Sequence, residues 1–538
     1  MFDEGVLVPV SVGHDAEVGD DAVLGALVAA EVALARAWAR AGVAPDAAAT
    51  AISDALGWSA PGAPCADHDI DLPALALAGV AGGNPVIPLV GMLRARVPEP
   101  ARVWVHRGAT SQDILDSALM LIAHRACRRL SASLVRAETA LVTLARAERD
   151  TVAAARTLTQ HAVPTTIGAR AANWLQGVRR AAARVAAVSD SLPAQLAGAG
   201  GTLASFAEIG GRERVDAVVA AFAEELALAV PDAPWHTSRW PVTELGDALV
   251  QAIDAVGKIA TDVATLGRTE IGELAEGAGG GSSAMPQKRN PAASVLIRSA
   301  ALRAPQLGAT LHLAAALAAD ERPDGAWHAE WPTLRELLRL ALGAAATAAA
   351  LVEGLRVDHL AVALNLTLTH GGIVAERLSL VLGPLIGTDA VAAIVAEAAG
   401  GAGARPAADP RAGAETAAAA DPRAGAAKTA AGAARNPGGS VAETGSGVAG
   451  NSGDSAAGPR AGADARAAAD PAAAAGAESA APLARLVREA LAEAGIAPDD
   501  PRLPPGGVAA LLDPAAYTGL AERIVDRATS PFRAEEVR

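Results

Sequence analysis

Apolar residues recur at steps of three and four along several long stretches of this 538-residue chain. The longest stripe is formed by Leu115, Leu119, Ile122, Ala126, Leu130, Leu134, Ala137, Leu141 and Leu144. This spacing places all of these side chains on one face of an α-helix, which repeats every 3.6 residues. Similar stripes run through residues 167–188 and 249–263, and segments 291–318 and 333–355 are apolar on most sides. Strand patterns are nearly absent, so the sequence predicts an all-α fold built on a bundle of long helices.

The composition excludes several classes of partner. Hydrophobic residues make up 51% of the chain but aromatic residues only 2%, so the core must be built from Leu, Val, Ile and Ala. The net charge of -14 argues against nucleic acid and anionic membrane surfaces as partners. The N-terminus lacks the pattern of a signal peptide, and we expect a soluble, cytoplasmic protein. No His, Cys, Asp or Glu residues have metal-ligand spacing, so we expect neither a metal nor any other cofactor.

The helical pattern also predicts the domain organisation. We expect an N-terminal helical domain (1–105), a central long-helix bundle (106–355), a C-terminal helical domain (356–398 plus 482–538) and an insertion (399–481). No Leu, Ile, Met, Phe, Tyr or Trp occurs between Val395 and Leu483, and ADPRAGA appears twice in that interval. Such a segment cannot bury enough apolar surface to offset its ordering entropy. We therefore predict that the insertion is disordered and of low complexity.

The stretch Gly279–Pro291 reads GGGSSAMPQKRNP and interrupts the apolar helices. Successive glycines let the backbone swing, two serine hydroxyls follow, and Lys288 and Asn290 supply hydrogen-bond donors. Pro291 favours the start of the next helix, whose N-terminus would attract an anion. The pattern predicts a lid that closes over an anionic ligand and delivers a serine hydroxyl. The alternative, a solvated Gly-Ser loop, is disfavoured by the MPQKRNP that follows.

Three motifs in order resemble the fumarase/aspartase superfamily, which includes argininosuccinate and adenylosuccinate lyases. GSSAMPQKRNP resembles its signature loop, HRGATSQDILDSA (106–118) its first substrate-binding region, and TLTQHAVPTTIG (157–168) its second. The resemblance covers most of residues 20–395 and, with LLDPAAYTGLAERIVDRA (511–528), the tail. It implies addition to, or elimination from, the carbon beside a carboxylate through a carbanion-like intermediate. It also implies a homotetramer with a twenty-helix core and active sites that draw on three subunits.

Within the superfamily, the sequence is most similar to the bacterial 3-carboxy-cis,cis-muconate cycloisomerases. The shared features are GATSQD, PWHTSR (234–239), AWHAEWPTL (326–334) and GNPVIPLV (83–90). Those enzymes close a tricarboxylate diene into a lactone in protocatechuate breakdown by the β-ketoadipate pathway. Two alternatives stay open: another lyase of the superfamily, acting on a succinyl or fumaryl compound, and an inactive structural relative.

The resemblance implies two catalytic residues. Ser282 matches the catalytic serine of the superfamily, and we expect it to exchange the proton at the carbon next to the activating carboxylate. Superfamily lyases commonly have a Thr-His pair in the second region, but this chain has Leu158 at that position and a histidine at His161. His161 is therefore the second candidate, either orienting the substrate or acting as general acid. The competing interpretation of His161 is a capping or packing role.

The candidate substrate-binding residues are Thr110, Ser111, Gln112, His106, Arg239, Lys288, Asn290 and Arg322. The resemblance implies that Thr110 and Ser111 bind a carboxylate through their hydroxyls. Lys288 and Asn290 would bind the carboxylate that becomes an enediolate-like anion. The two arginines would bind the remaining carboxylates of a tricarboxylate substrate, although each could equally be a surface residue. WHAEW, at 327–331, is either a wall of the substrate pocket or a packed helix start.

Overall fold

The computed structural model describes residues 5–281, 284–400 and 471–530, most of them in α-helices. The helices of the N-terminal and central parts are α1 (Asp20–Arg40), α2 (Asp46–Ala55), α3 (Leu72–Gly82), α4 (Val86–Arg96), α5 (Ser111–Ala147), α6 (Ile167–Ser191), α7 (Ala204–Gly210), α8 (Val215–Glu225), α9 (Trp240–Leu266), α10 (Ala292–Ala316) and α11 (Gly325–Glu353). The later helices are α12 (His359–Thr367), α13 (Ala375–Ile386), α14 (Thr388–Gly400), α15 (Pro471–Glu493), α16 (Gly507–Leu512) and α17 (Ala521–Thr529). Short 3-10 helices span Pro9–Ser11, Ala16–Val18, Glu99–Trp104, Arg212–Arg214, Gly372–Val374 and Pro514–Tyr517. Four strands complete the described part: β1 (Val152–Thr157), β2 (Gln160–Thr166), β3 (Leu274–Ala275) and β4 (Arg356–Val357).

Five long helices, α5, α6, α9, α10 and α11, pack against one another as a bundle, which confirms the all-α prediction. Since α5 has 37 residues, it is about 55 Å long at 1.5 Å per residue. The start of α5 lies beside the starts of α9 and α11, where Arg239 contacts Asp116 and Glu330. We call this the upper end of the bundle. At the lower end, the C-terminus of α5 lies beside the N-terminus of α6. Gly277, which precedes α10, lies beside Gly354, which follows α11.

One continuous apolar core joins the N-terminal helices to the bundle. The described residues include one helix, α1, that is long and apolar enough to span a membrane, but 78% of its most apolar window is buried in the protein. It packs against α5 and α8 as a core helix. The C-terminal helices form a second core, to which Ile373, Leu378, Leu382, Leu483, Val487 and Leu511 belong. Helix α17 leaves that group and packs on α5 and α6, with Val525 and Ala528 in the main core.

The strand pair β1–β2 is the element that the sequence pattern missed. Alanine-rich VAAART has no alternating apolar signal, and a proline such as Pro164 is more typical of a helix start than of a strand interior. Instead, Pro164 lies inside β2, opposite Ala154, and α6 begins at Ile167. Thr166 caps that helix, because its side chain accepts a hydrogen bond from the Ala169 N–H.

The bounds of the predicted insertion need correction at both ends. Residues 401–470, its central part, lie outside the described residues. Helix α14 continues to Gly400 and α15 begins at Pro471, so both helices include residues that we had assigned to the disordered segment. The divisions at 105 and 355 stay predictions.

Gly343 in α11 is where the N-terminal segment crosses the bundle most closely. A Cβ at this position would lie 2.1 Å from the carbonyl oxygen of Val10 and 2.9 Å from the Cα of Ser11. We expect Gly343→Ala to lower the free energy of unfolding by about 1–3 kcal/mol, because backbone must move to admit the methyl group. The measurement is the midpoint of urea unfolding at fixed protein concentration.

The matched control is Gly91→Ala in α4, where a Cβ would meet nothing within 4 Å. Alanine has the higher helix propensity, so this variant should be at least as stable as the parent, by up to about 1 kcal/mol. Equal stability of the two alanine variants would contradict the steric argument.

Candidate active site

Asp113 organises the upper end of the bundle. Its carboxylate is fully buried and accepts hydrogen bonds from the backbone N–H groups of Thr110 at 3.0 Å, Ala197 at 2.9 Å and Gly198 at 2.9 Å. His236 Nε2 lies 2.9 Å from the same carboxylate. These contacts tie the loop after α6 to the first turn of α5. They fix the backbone of Thr110 at the start of the helix, where its side chain stays partly exposed.

Arg239 is buried at the upper end and pairs with two carboxylates. Its guanidinium lies 2.7 Å from Asp116 and 2.6 Å from Glu330, and its side chain is 1% exposed. The carbonyl oxygens of Trp235 and His236 accept further bonds from it. Every guanidinium nitrogen is thus occupied by a protein acceptor. We therefore correct the assignment of Arg239 from a substrate ligand to a structural residue.

Two neighbouring side chains, those of Gln112 and Trp327, donate hydrogen bonds to the carboxylate of Asp116. Gln112 is buried and donates to Asp116 at 3.1 Å and to the carbonyl of His236 at 2.9 Å, so its amide nitrogen is not available to a substrate. The indole N–H of Trp327 donates to Asp116 at 2.9 Å. Glu330 binds Arg239 in the same network, so two residues of the WHAEW segment contact the ion pair, and the choice between a pocket wall and a packed helix start stays a prediction.

His106 and Arg322 also lie at the upper end. His106 Nδ1 is 2.7 Å from Glu31, a buried carboxylate on α1. Burial lowers the pKa of His106, but the charge of Glu31 and the hydrogen bond to it outweigh this effect and raise the pKa overall. Arg322 is partly exposed and donates to the carbonyl of Ala199, next to the loop that Asp113 holds. Both residues therefore lie near the start of α5, together with Thr110.

His161 lies at the opposite, lower end, on the β1–β2 hairpin, where it pairs in register with Arg156. Its Nδ1 is buried and has no hydrogen-bond partner among the residues that the structure describes. Burial, and then the positive charge of Arg156, lower the pKa of His161, while Glu273 opposes them. The lowered pKa favours the neutral imidazole, which suits a proton acceptor better than the general acid that we had considered.

Leu158 and Thr159 form the tip of this hairpin. Their φ angles are 48° and 72°, so both residues lie in the left-handed region that favours glycine. The side chain of Leu158 is 97% exposed. Near the tip, one residue pair from the turn, Arg156 binds the fully buried Glu273 at 2.6 Å. The hairpin is thus anchored by an ion pair and presents an apolar side chain to solvent.

The loop before α10 also lies at the lower end. Gly280 and Asn290 exchange backbone hydrogen bonds at 2.9 and 2.8 Å and close the loop. Lys288 is exposed and Asn290 partly exposed. Ser282, the predicted catalytic residue, lies outside the described residues.

We expected the N-terminus of α10 to attract a ligand anion, and this expectation needs correction. The carboxylate of Glu276 accepts bonds from the N–H groups of Ser294 at 2.8 Å and Ala293 at 3.1 Å. A protein carboxylate therefore already occupies the position that an anionic ligand would take. Helix α10 does begin directly after Pro291, as predicted.

The predicted site residues form two groups separated by the length of the bundle. The upper group is His106, Thr110, Ser111 and Arg322, and the lower group is His161, Lys288 and Asn290. Helices of 25 to 37 residues, about 38 to 55 Å long, separate these ends, so one chain alone cannot enclose a small molecule between them. Within the described ranges, no group of three or more His, Cys, Asp or Glu side chains could hold a metal ion. The expected absence of a cofactor stays a prediction.

Sequence reasoning did not single out the residues that hold these groups in place, such as Asp113 and Glu273. One signal was available for Asp113. Thr110 and Asp113 have the Thr-x-x-acid spacing of a capping box, in which the acid reaches back to the first N–H of the helix. Glu273 has no such local signal, because its partners Arg156 and Asn365 lie far away in the chain.

Comparisons with known proteins show the family and the fold of this chain. The family model described as Lyase matches residues 14–305. The nitrosuccinate lyase of Streptomyces davaonensis is 48% identical over 409 residues, which cover 74% of this chain and 84% of that protein. The 3-carboxy-cis,cis-muconate cycloisomerase of Bradyrhizobium diazoefficiens is 43% identical over 365 residues, covering 66% and 77%. The crystal structure of the 3-carboxy-cis,cis-muconate lactonizing enzyme from Pseudomonas putida matches with a TM-score of 0.70 at 30% identity, covering 95% of this chain and 94% of that one.

Proposed function

This chain belongs to the lyase family and has the fumarase/aspartase fold, and from that premise we propose that it forms or breaks a bond beside a carboxylate, with a partner group that is stable as an anion. The observation that carries the proposal is Leu158, an apolar side chain that is 97% exposed at the hairpin tip. The resemblance implies that superfamily lyases have an acid/base histidine there. An amine leaving group needs a proton from such a residue, whereas a carboxylate does not, because it is ionised at pH 7.

The reaction that we propose first is the closure of 3-carboxy-cis,cis-muconate to 4-carboxymuconolactone. One carboxylate of the substrate adds to a double bond of the same molecule, and the carbon beside the activating carboxylate gains a proton. Neither step needs the acid that is missing at Leu158. Ser282 would deliver the proton, and Thr110 and Lys288 would bind carboxylates. The similarity to the cycloisomerase of Bradyrhizobium diazoefficiens and to the lactonizing enzyme of Pseudomonas putida supports this choice.

A second candidate is elimination of nitrite from nitrosuccinate, in which loss of a proton and of nitrite leaves fumarate. The observation in its favour is the 48% identity to a nitrosuccinate lyase over 409 residues. Nitrite is ionised at neutral pH, so its departure needs no acid at the hairpin tip. Leu158 therefore fits both candidates and disfavours lyases that release amines.

The separation of the two residue groups supports a further part of the proposal, a homotetramer with shared sites. A complete site requires the upper end of one copy to meet the lower ends of others. Helix α10 carries an exposed apolar face suited to such contacts, formed by Val295, Leu302, Leu313 and Leu317. Exposed leucines of this kind in a long helix are typical of surfaces buried in an assembly.

The test is to incubate the purified chain separately with 3-carboxy-cis,cis-muconate, nitrosuccinate and adenylosuccinate. We expect the conjugated-diene absorbance of the first compound to decay, with the highest kcat/KM of the three. If nitrosuccinate yields nitrite and fumarate while the diene absorbance of 3-carboxy-cis,cis-muconate stays constant, the second candidate replaces the first. Efficient release of fumarate from adenylosuccinate would refute the argument from Leu158, and turnover of none of them would refute the proposed activity.

A further inference from the structure

A depression of about 610 Å³ lies between the end of α4, the loop before α5 and α7. Arg94, Arg102, Arg107 and His106 supply its charged lining, and Ser205 adds a hydroxyl. None of the residues that line it is acidic. Thr110 and Ser111 are not among them either. The depression is therefore a concentration of positive charge beside, but not within, the proposed carboxylate-binding turn of α5.

Two arginines of this depression, Arg94 and Arg102, are held in place by backbone carbonyls rather than by carboxylates. Arg94 donates from one terminal nitrogen to the carbonyl of Val105 at 3.0 Å, and Arg102 donates from Nε to the carbonyl of Val97 at 2.9 Å. Within the described part of the chain, Arg94, Arg102 and Arg107 form no ion pair. Elsewhere in the fold, Arg36, Arg156 and Arg239 each pair with a carboxylate. Each bond from Arg94 or Arg102 to a carbonyl orients a guanidinium and leaves its other nitrogens without a protein acceptor.

Arg107 carries a buried donor that lacks a partner. Its guanidinium lies 5.7 Å from the centre of the Trp104 ring, and its carbonyl accepts a bond from the indole N–H of Trp38 at 2.9 Å. The Nε of Arg107 is nevertheless buried with no hydrogen-bond acceptor among the described atoms. An unsatisfied buried donor on a charged group is costly, so the protein itself stabilises the Arg107 guanidinium less well than those of Arg94 and Arg102.

His106 adds a cation that the buried carboxylate of Glu31 stabilises. Because Nδ1 contacts the buried Glu31 at 2.7 Å, the protonated ring donates there and keeps its Nε2–H for another acceptor. The raised pKa of His106 agrees with this geometry: burial alone would lower it, and Glu31 reverses the effect. Glu31 is itself 0% exposed in its side chain, so it does not compete for an anion at the surface.

We propose that this depression, formed by Arg94, Arg102, Arg107 and His106, is a binding site for a compact oxyanion that carries more than one negative charge. Phosphate groups and polycarboxylates share this chemistry, and both match the forked donors of guanidinium groups. The chain has a net charge of -14, so a local cationic site is needed to hold such an anion against the overall field. His106 belongs also to the upper group of predicted site residues, so the proposed anion would bind next to the substrate, whichever reaction the enzyme catalyses.

Isothermal titration calorimetry with inorganic phosphate and with citrate, at an ionic strength fixed by NaCl, tests the site. We expect the parent to bind at least one of them with a dissociation constant below about 1 mM. The double variant Arg102→Gln/Arg107→Gln should bind at least about tenfold more weakly, because it loses charge-assisted hydrogen bonds. Arg102→Gln alone, at an exposed position, should show part of the loss even if the double variant does not fold.

The matched control is Arg125→Gln/Arg128→Gln, in another arginine cluster where Arg125 pairs with Glu17 at 3.2 Å. Its affinity should equal that of the parent. Tighter binding of phosphate than of citrate would identify a phosphate-bearing ligand, and the reverse order a polycarboxylate. Absence of binding by the parent at millimolar concentration, or equal binding by the parent and a folded Arg102 variant, would overturn the proposal.

Discussion

Replacing Arg239 with methionine is expected to lower the free energy of unfolding by about 3–5 kcal/mol. Arg239 lies between Asp116 and Glu330, and all three side chains are at most 2% exposed. Methionine removes the only cation of this group and leaves two carboxylates buried together. Burial already raises the pKa of Glu330 more than its bond to Arg239 lowers it. Loss of Arg239 would therefore leave a site that cannot keep both acids ionised.

The measurement is the midpoint of urea unfolding, with Arg303→Met as the matched control. Arg303 also pairs with a glutamate, Glu336, at 2.6 Å, but its side chain is 43% exposed. Its loss should change the free energy of unfolding by no more than about 1 kcal/mol. Combining Arg239→Met with Asp116→Asn and Glu330→Gln removes every charge of the group and should recover much of the lost stability. Equal unfolding midpoints for the two methionine variants would contradict the assigned structural role.

Replacing Ser282 with alanine is expected to reduce kcat by about 10²- to 10⁴-fold and to leave KM nearly unchanged. The serine is proposed to exchange a proton in the transition state, so its loss should affect the chemical step rather than ground-state binding. The measurement is steady-state turnover of whichever substrate the parent accepts. Unchanged secondary structure and oligomeric state of the variant would show that the loss is chemical.

Ser283 provides the matched control, since it has the same side chain one position later. Ser283→Ala should retain activity within about tenfold of the parent, because it lacks the proposed role. The Ser282 variant also tests the shared site. If one site combines the upper end of one copy's bundle with the lower end of another's, a mixture of inactive Ser282→Ala and Thr110→Ala chains should regain part of the activity once the subunits have exchanged. A Ser282→Ala variant as active as the parent would refute the catalytic role.

Prediction from the sequence succeeded where a property repeats along the chain. The stripe from Leu115 to Leu144 predicted α5, because period 3.6 requires no knowledge of the partner helices. It failed at β1 and β2, since an Ala-rich strand followed by Pro164 has no alternation to detect. The hairpin depends instead on cross-strand pairing and on the ion pair between Arg156 and Glu273, which lie far apart in the sequence.

The candidate site shows the same division. Motifs predicted that residues near Thr110, His161 and Lys288 carry function, and a helix cap near Thr110 could have been found from local spacing. The role of Arg239 could not, because a sequence does not show which carboxylates will surround a guanidinium. Glu276 at the start of α10 is similar: the expected anion position is occupied by a side chain of the protein itself.

The sequence by itself determined the all-α class, the long bundle and the family, because helical periodicity and short motifs are local properties of the chain. Only the tertiary structure decided that Arg239 is structural, that Leu158 is exposed at a hairpin tip, and that the predicted site residues lie at opposite ends of the bundle. The physical reason is that burial, ion pairing and separation in space depend on residues distant in sequence, which come together only when the helices pack.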